Sequence, residues 1–117
     1  MKLKTLLNIS KEAFQRRFKL LQKKDADYAT KDALSNFKIT ANIFSTLTGL
    51  DFTSYHSALF LEIVKLVRET NIIMNKGCKT VNESLEDTLD DGDNYRDLKR
   101  VILHDMGILT CDDKNET

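Results

Sequence analysis

The chain contains no proline, and glycine occurs only at Gly49, Gly77, Gly92 and Gly107. Proline is the residue that most effectively interrupts a helix, because it lacks the backbone N–H and its ring clashes with the preceding turn. Without it, helices here can be stopped only by glycine or by polar capping residues. Three of the four glycines fall where apolar periodicity ends, the placement expected of helix C-terminal caps or turns. Strand-like alternation of apolar and polar residues is nowhere sustained. These features predict an all-α fold, a bundle of four main helices joined by short connections between antiparallel neighbours.

The first predicted helix runs from about Ser10, as N-cap, to Lys24, with Phe14, Phe18 and Leu21 at helical spacing and a basic opposite face. The second begins between Thr30 and Ser35 and reaches about Leu47. Leu34, Phe37, Ala41, Phe44 and Leu47 form its apolar stripe, and Gly49 ends it. The third spans from Thr53 or Ser54 to about Asn75 and is apolar around most of its circumference, as expected of a central helix touched on several sides. The fourth opens on Thr80-Val81-Asn82-Glu83, a capping-box pattern in which the threonine and glutamate side chains satisfy each other's backbone N–H groups, and continues to about Asp105.

With 117 residues, the chain has the length of one domain, read here as residues 1–109, followed by a frayed tail over 110–117. Hydrophobic residues at 41% and charged residues at 31% fit a folded, water-soluble chain. Lys plus Arg and Asp plus Glu balance at 18 each, so no net field steers the chain toward nucleic acid or anionic lipid, and direct nucleic-acid binding is not expected. The basic residues concentrate before Asp25 and the acidic ones after Asn82, an asymmetry suited to pairing within the chain or between subunits. Cys78 and Cys111 lack the spacing of a zinc site, and with His56 and His104 as the only histidines a structural zinc is not expected. No run reaches the length of a membrane span, and residues 1–9 lack the apolar stretch of a secretory signal, so a reducing cytoplasm is the expected location.

The stretch "ESLEDTLDDGDNY", residues 83–95, raises the sharpest chemical question. Glu83, Asp87 and Asp91 fall at i, i+4 and i+8, on one slowly drifting row of a helix that leads into Tyr95, Leu98 and Ile102. Like charges at this spacing oppose helix formation, and an inward position raises their cost unless a cation compensates. The competing expectation is that Glu83, Glu86 and Asp87 simply complement the positive N-terminal end of the helix dipole, an effect that has faded by Asp91. Glu86, Asp90, Asp93 and Asp97 are expected on solvated surface. Gly92 is expected to permit close backbone packing.

On the third helix Glu62, Lys65, Arg68 and Glu69 form one polar strip. Lys65 and Arg68 could meet the acids directly. Alternatively, Glu62 could join the row of Glu83, Asp87 and Asp91 around Mg²⁺, which favours oxygen ligands in octahedral array. A solvent-facing edge would explain the strip equally well. His56 and His104 have no serine or cysteine at recognisable triad spacing, and no glycine-rich phosphate loop is present.

The segment "KDADYATKDALSNFK", Lys24 to Lys38, together with Lys65 and with Glu83, Ser84, Asp87, Asp91, Asn94 and Tyr95, resembles a family of small phage and prophage proteins. That family is similar to nucleotide-modification-associated domains and, more distantly, to MazG-like all-α nucleotide pyrophosphatases. The resemblance spans roughly residues 24 to 103. It implies a MazG-like helical fold, nucleotide handling in the cytoplasm of a bacterial host cell, and assembly into a homo-oligomer. Tyr28 or Phe37 would stack a base, Asn36 would read its edge, and Lys65, Arg68 and Tyr95 would complete a nucleotide site. MazG-like enzymes hold Mg²⁺ with an ExxE and an ExxD on successive helices; here Lys65 stands three residues after Glu62, where a second carboxylate is expected. Two functions follow: a Mg²⁺-dependent nucleoside triphosphate pyrophosphohydrolase, or a noncatalytic accessory or anti-defence protein that binds a nucleotide signal or a host protein.

Overall fold

The structure is a computed structural model and describes residues 1–27, 32–75 and 84–110. It is all-α: α1 (Leu3–Asp27), α2 (Ser35–Thr48), α3 (Ser54–Met74) and α4 (Leu85–Asp105) follow in chain order, with no strand among the described residues. Tyr28, Gly77, Cys78, the Thr80–Glu83 capping pattern and the tail from Cys111 lie outside the described residues.

Helix α1 begins seven residues before the predicted N-cap at Ser10. The stretch Leu3–Ile9 has leucines and a lysine with good helix propensity and no breaker, so the helix propagates through Ser10 as an interior residue. At the end of α2 the glycine signal is obeyed: Gly49 adopts φ +72° and donates its N–H to Ser45 O at 2.8 Å. The following loop is clipped by Ser45 Oγ, which donates to Phe52 O (2.9 Å) and accepts from Phe52 N–H (3.1 Å). Helix α3 is capped by Thr53, whose N–H donates to His56 Nδ1 at 3.0 Å, so His56 serves the helix start. Helix α4 is capped by Ser84, whose Oγ accepts the N–H of Asp87 at 3.1 Å.

Helices α3 and α4 pack antiparallel along most of their length, as the pairings Ala58 with Ile102, Glu62 with Lys99 and Lys65 with Asp91 require. Helix α2 covers the start of α3, where Ser57 Oγ donates to Phe37 O at 3.0 Å. Among the described residues, helix α1 packs on α4 alone. The core sits where α2, α3 and α4 converge: Leu34, Ala58 and Ile102 are buried, with Phe37, Tyr55 and Leu98 packed against them. Burying a side chain such as Ile102 completely contributes about 1.5–3 kcal/mol. The apolar stripe expected on α2 is buried only in part, for Leu34 and Ala41 are enclosed while Leu47 is 80% exposed. Helix α3, expected to be covered on several sides, instead leaves Phe60, Ile63, Val64 and Val67 exposed within the single chain.

Candidate functional site

Helix α4 lies between α1 and α3 and therefore has two inward faces. Toward α3, Lys65 Nζ reaches Asp91 Oδ2 at 3.1 Å, and Lys99 pairs with Glu62. Toward α1, Arg16 grips Asp90 with two hydrogen bonds, Nε to Oδ2 at 2.6 Å and Nη2 to Oδ1 at 3.1 Å, and also donates to Glu86 at 2.9 Å. This two-pronged geometry is the strong form of the arginine–carboxylate bond, and the hydrogen bond to Asp90 is the main reason the Arg16 pKa is raised above its ordinary value. Arg17 lies 3.6 Å from Asp93 and 3.5 Å from Asp97. Asn94, buried, donates to the backbone carbonyl of Arg17 at 3.5 Å.

The expected division of the acids between core and surface is corrected at two positions. Asp90, assigned to solvated surface, is 5% exposed, while Asp87, assigned to the inward row, is exposed in the first turn of α4. The physical reason is the position of α1: its arginines create a second ionic seam, which encloses Asp90, on the face that one-sided packing would leave in water. Glu86, Asp93 and Asp97 pair with the same arginines but stay exposed, as expected of surface carboxylates. Their spacing with Asp90, four, three and four residues, was the readable signal for the seam, matched by Arg16 and Arg17 on the first helix. Glu83 lies outside the described residues.

Among the described residues, Asp91 is a carboxylate shared by both sides of the sandwich. Besides Lys65 on α3, Lys24 on α1 approaches it at 3.9 Å, so its two oxygens face two ammonium groups. Asp91 and Lys24 stand at the polar end of a cleft of 350 Å³ whose walls include Leu21, Leu34, Phe37 and Leu98, with Asn94 and Tyr95 between. A second cleft, of 490 Å³, continues on the other side of Phe37 and Tyr95, which line both, and is closed by Asn36, Phe44 and Phe52. The residues singled out from the sequence are thus distributed as follows. Asn36 and Tyr95 share the second cleft, Tyr95 and Asp91 share the first, Lys65 is half-buried against Asp91, and Arg68 is exposed on α3. Tyr28 lies outside the described residues.

Among the described residues, no group of three or more histidine, cysteine, aspartate or glutamate side chains is gathered as a metal site. Glu62 and Asp91 face Lys99 and Lys65, and Asp87 is turned to solvent. Chemically, the cleft combines apolar and aromatic walls with the polar groups of Lys24, Asp91 and Asn94, an arrangement suited to a flat ring bearing an anionic group. Compared with known proteins, the chain matches no family model, no curated protein and no solved structure.

Proposed function

We propose that this chain is a noncatalytic nucleotide-binding protein of the phage and prophage type that its sequence resembles, acting in the cytoplasm of a bacterial host cell. The base enters the slot beside Phe37 and Tyr95, with Asn36 available to its edge, and the phosphates lie toward Lys24 and Lys65. The observation that carries this reading is that Asp91, which with Lys24 lines the aromatic cleft, is paired by both Lys24 and Lys65. A phosphate exchanges with Asp91 for those ammonium groups, so the charges that hold the empty site together also serve the ligand. Lysine–carboxylate pairing at Asp91 and Glu62 favours binding over Mg²⁺-dependent hydrolysis, because each ammonium group opposes a divalent ion at the same oxygen.

Calorimetry with nucleoside mono-, di- and triphosphates, with and without Mg²⁺, tests the proposal together with an assay for released phosphate and pyrophosphate. Binding without release, weakened at least tenfold by Lys65→Ala and by Tyr95→Ala, is the expected outcome. Absence of binding to the whole panel overturns it. Mg²⁺-dependent release that is abolished in Asp91→Asn would replace it with the pyrophosphohydrolase reading.

A further inference from the structure

Helix α1 is held to the fold along its second half only. Ala13, Arg17, Leu20, Leu21 and Lys24 are partly buried, whereas every residue from Lys2 to Glu12 is exposed. The exposed half nevertheless carries Leu3, Leu6, Leu7 and Ile9, and its apolar row runs on into the second half. Leu3, Leu7, Phe14 and Phe18 are spaced four, seven and four residues apart, which on an α-helix is one face. Leu3 is 69% exposed, Leu7 and Phe14 55%, and Phe18 51%. The Phe14 and Phe18 rings stack on this face with their centres 6.1 Å apart.

The charges on α1 are as one-sided as its apolar residues. Residues 1–24 hold eight basic side chains and a single acid, Glu12, which falls on the side of the helix opposite Leu3 and Phe14. Arg16, Arg17 and Lys24 are taken by the carboxylates of α4. Lys2, Lys4, Lys11, Lys19 and Lys23 are exposed and pair with no carboxylate among the described residues. Lys4 and Lys11 border the apolar row directly. The neutrality of the whole chain is therefore a balance between α1 and α4, and it leaves a local positive field around exposed leucine and phenylalanine.

We infer that this face of α1 adsorbs to an anionic bilayer surface, with the leucines and phenylalanines beneath the headgroups and the lysines reaching the lipid phosphates. A helix with a broad apolar face bordered by lysine is the form that lies in the interfacial plane, its lysine stems extending along the apolar surface to the charged layer. No helix among the described residues is long and apolar enough to cross a membrane, so α1 lies along the surface. Charge favours this occupant over a second copy, because two α1 faces in contact bring the same unpaired lysines together. The apolar row favours it over nucleic acid, whose phosphates attract lysine but give Leu3 and Leu7 no hydrocarbon to enter. From Leu7 through Leu3 and Leu6 to Ile9 the apolar arc takes in about half the helix circumference, and a deformable surface fills such an arc more readily than a rigid protein groove. None of these residues lines either cleft, so the inference does not rest on the nucleotide reading.

Flotation of the full chain with phosphatidylcholine vesicles, with and without an equal share of phosphatidylglycerol, is the test. Binding to the anionic vesicles is expected to be about tenfold tighter than to the neutral ones, or more. Leu7→Glu, and separately Lys4→Gln combined with Lys11→Gln, are each expected to weaken it roughly tenfold or more while circular dichroism shows helix retained. Val67→Glu, on the exposed apolar face of α3, is the control expected to bind as the wild type does. The chain has no tryptophan, so the Phe14→Trp variant reports depth, and its emission is expected to shift to the blue on anionic vesicles. Absence of flotation overturns the inference, and so does a loss of binding as large in Val67→Glu as in Leu7→Glu. Binding with unshifted Phe14→Trp emission overturns it as well, since charge alone would then hold the chain. A dimer dissociated by Leu7→Glu, in a chain that does not float, replaces the lipid with a second copy. If Leu7→Glu loses helix, the double lysine variant decides, because it removes charge and no apolar contact; unchanged affinity there overturns the inference.

Discussion

Lys65 Nζ lies 3.1 Å from Asp91 Oδ2, and both side chains are 19% exposed. An ion pair at that depth is shielded from water enough for its loss to be measurable, unlike a pair on open surface. Asp91→Asn is expected to destabilise the fold by roughly 1–3 kcal/mol in urea unfolding, because two lysines lose their countercharge. The double substitution Lys65→Met with Asp91→Leu should recover most of that loss. A double variant as unstable as the sum of the singles would show that the two side chains are not coupled.

Helix α1 is attached to α4 chiefly through Arg16 and Arg17 and their carboxylates. Raising salt to about 1 M shortens the screening length to ~3 Å and weakens the exposed members of this seam. Hydrogen exchange in α1 is expected to accelerate with salt and with Asp90→Ala, while α3 and the second half of α4 keep their protection. Uniform acceleration across the four helices would contradict this hierarchy.

Thr88 Oγ1 is fully buried and has no hydrogen-bond partner among the described residues. A hydroxyl in that situation is desolvated without compensation. Thr88→Val, which keeps the shape, is therefore expected to be neutral or to stabilise the protein by up to about 1 kcal/mol, contrary to the usual cost of altering a buried residue. A midpoint lowered by more than that amount would mean the hydroxyl is bonded in solution.

Gly92 was expected to permit a close backbone approach, but a Cβ placed there meets only Lys65 Cβ, at an ordinary 3.7 Å. The glycine lies inside α4, where its backbone freedom costs about 0.5–1 kcal/mol relative to alanine. Gly92→Ala is expected to raise stability by that amount, read from the thermal or urea midpoint. A destabilised variant would reveal a contact tighter than 3.7 Å.

The start of α2 is tied to the end of α4 by Lys38, which reaches Asp32 at 2.6 Å and Asp105 at 3.2 Å. The Lys38 hydrogen bond, then the N–H of Leu34, hold the Asp32 pKa below its ordinary 3.8, and Asp32 likewise leads the causes that raise Lys38 above 10.5. A depressed acid stabilises the native state above its unfolded value and ceases to do so as pH falls through the folded one. A raised lysine contributes below 10.5 and stops as pH climbs through its folded value. The stability difference between wild type and Asp32→Asn is therefore expected to hold at neutral pH and to close on acidification below 3.8. A difference unchanged under strong acid would show that it does not arise from the ionised carboxylate.

What could be read from the residues alone was local. The absence of proline, the apolar spacing and Gly49 with its left-handed backbone settle that the chain is helical and where α2 ends, because propensity and capping act within one or two turns. The misjudged start of α1 belongs to the same level, since a serine can cap a helix or ride inside one and only its neighbours decide. Which faces turn inward was decided by tertiary structure. Helical periodicity locates a row of acids but not the number of helices around it, so Asp90 and Asp87 exchange their expected places once α1 brings Arg16 from 74 residues away. In the same way, Lys65 and Glu62 face α4 rather than water because Asp91 and Lys99 meet them there. Charge pairing between distant segments thus determines which side of α3 remains apolar and uncovered.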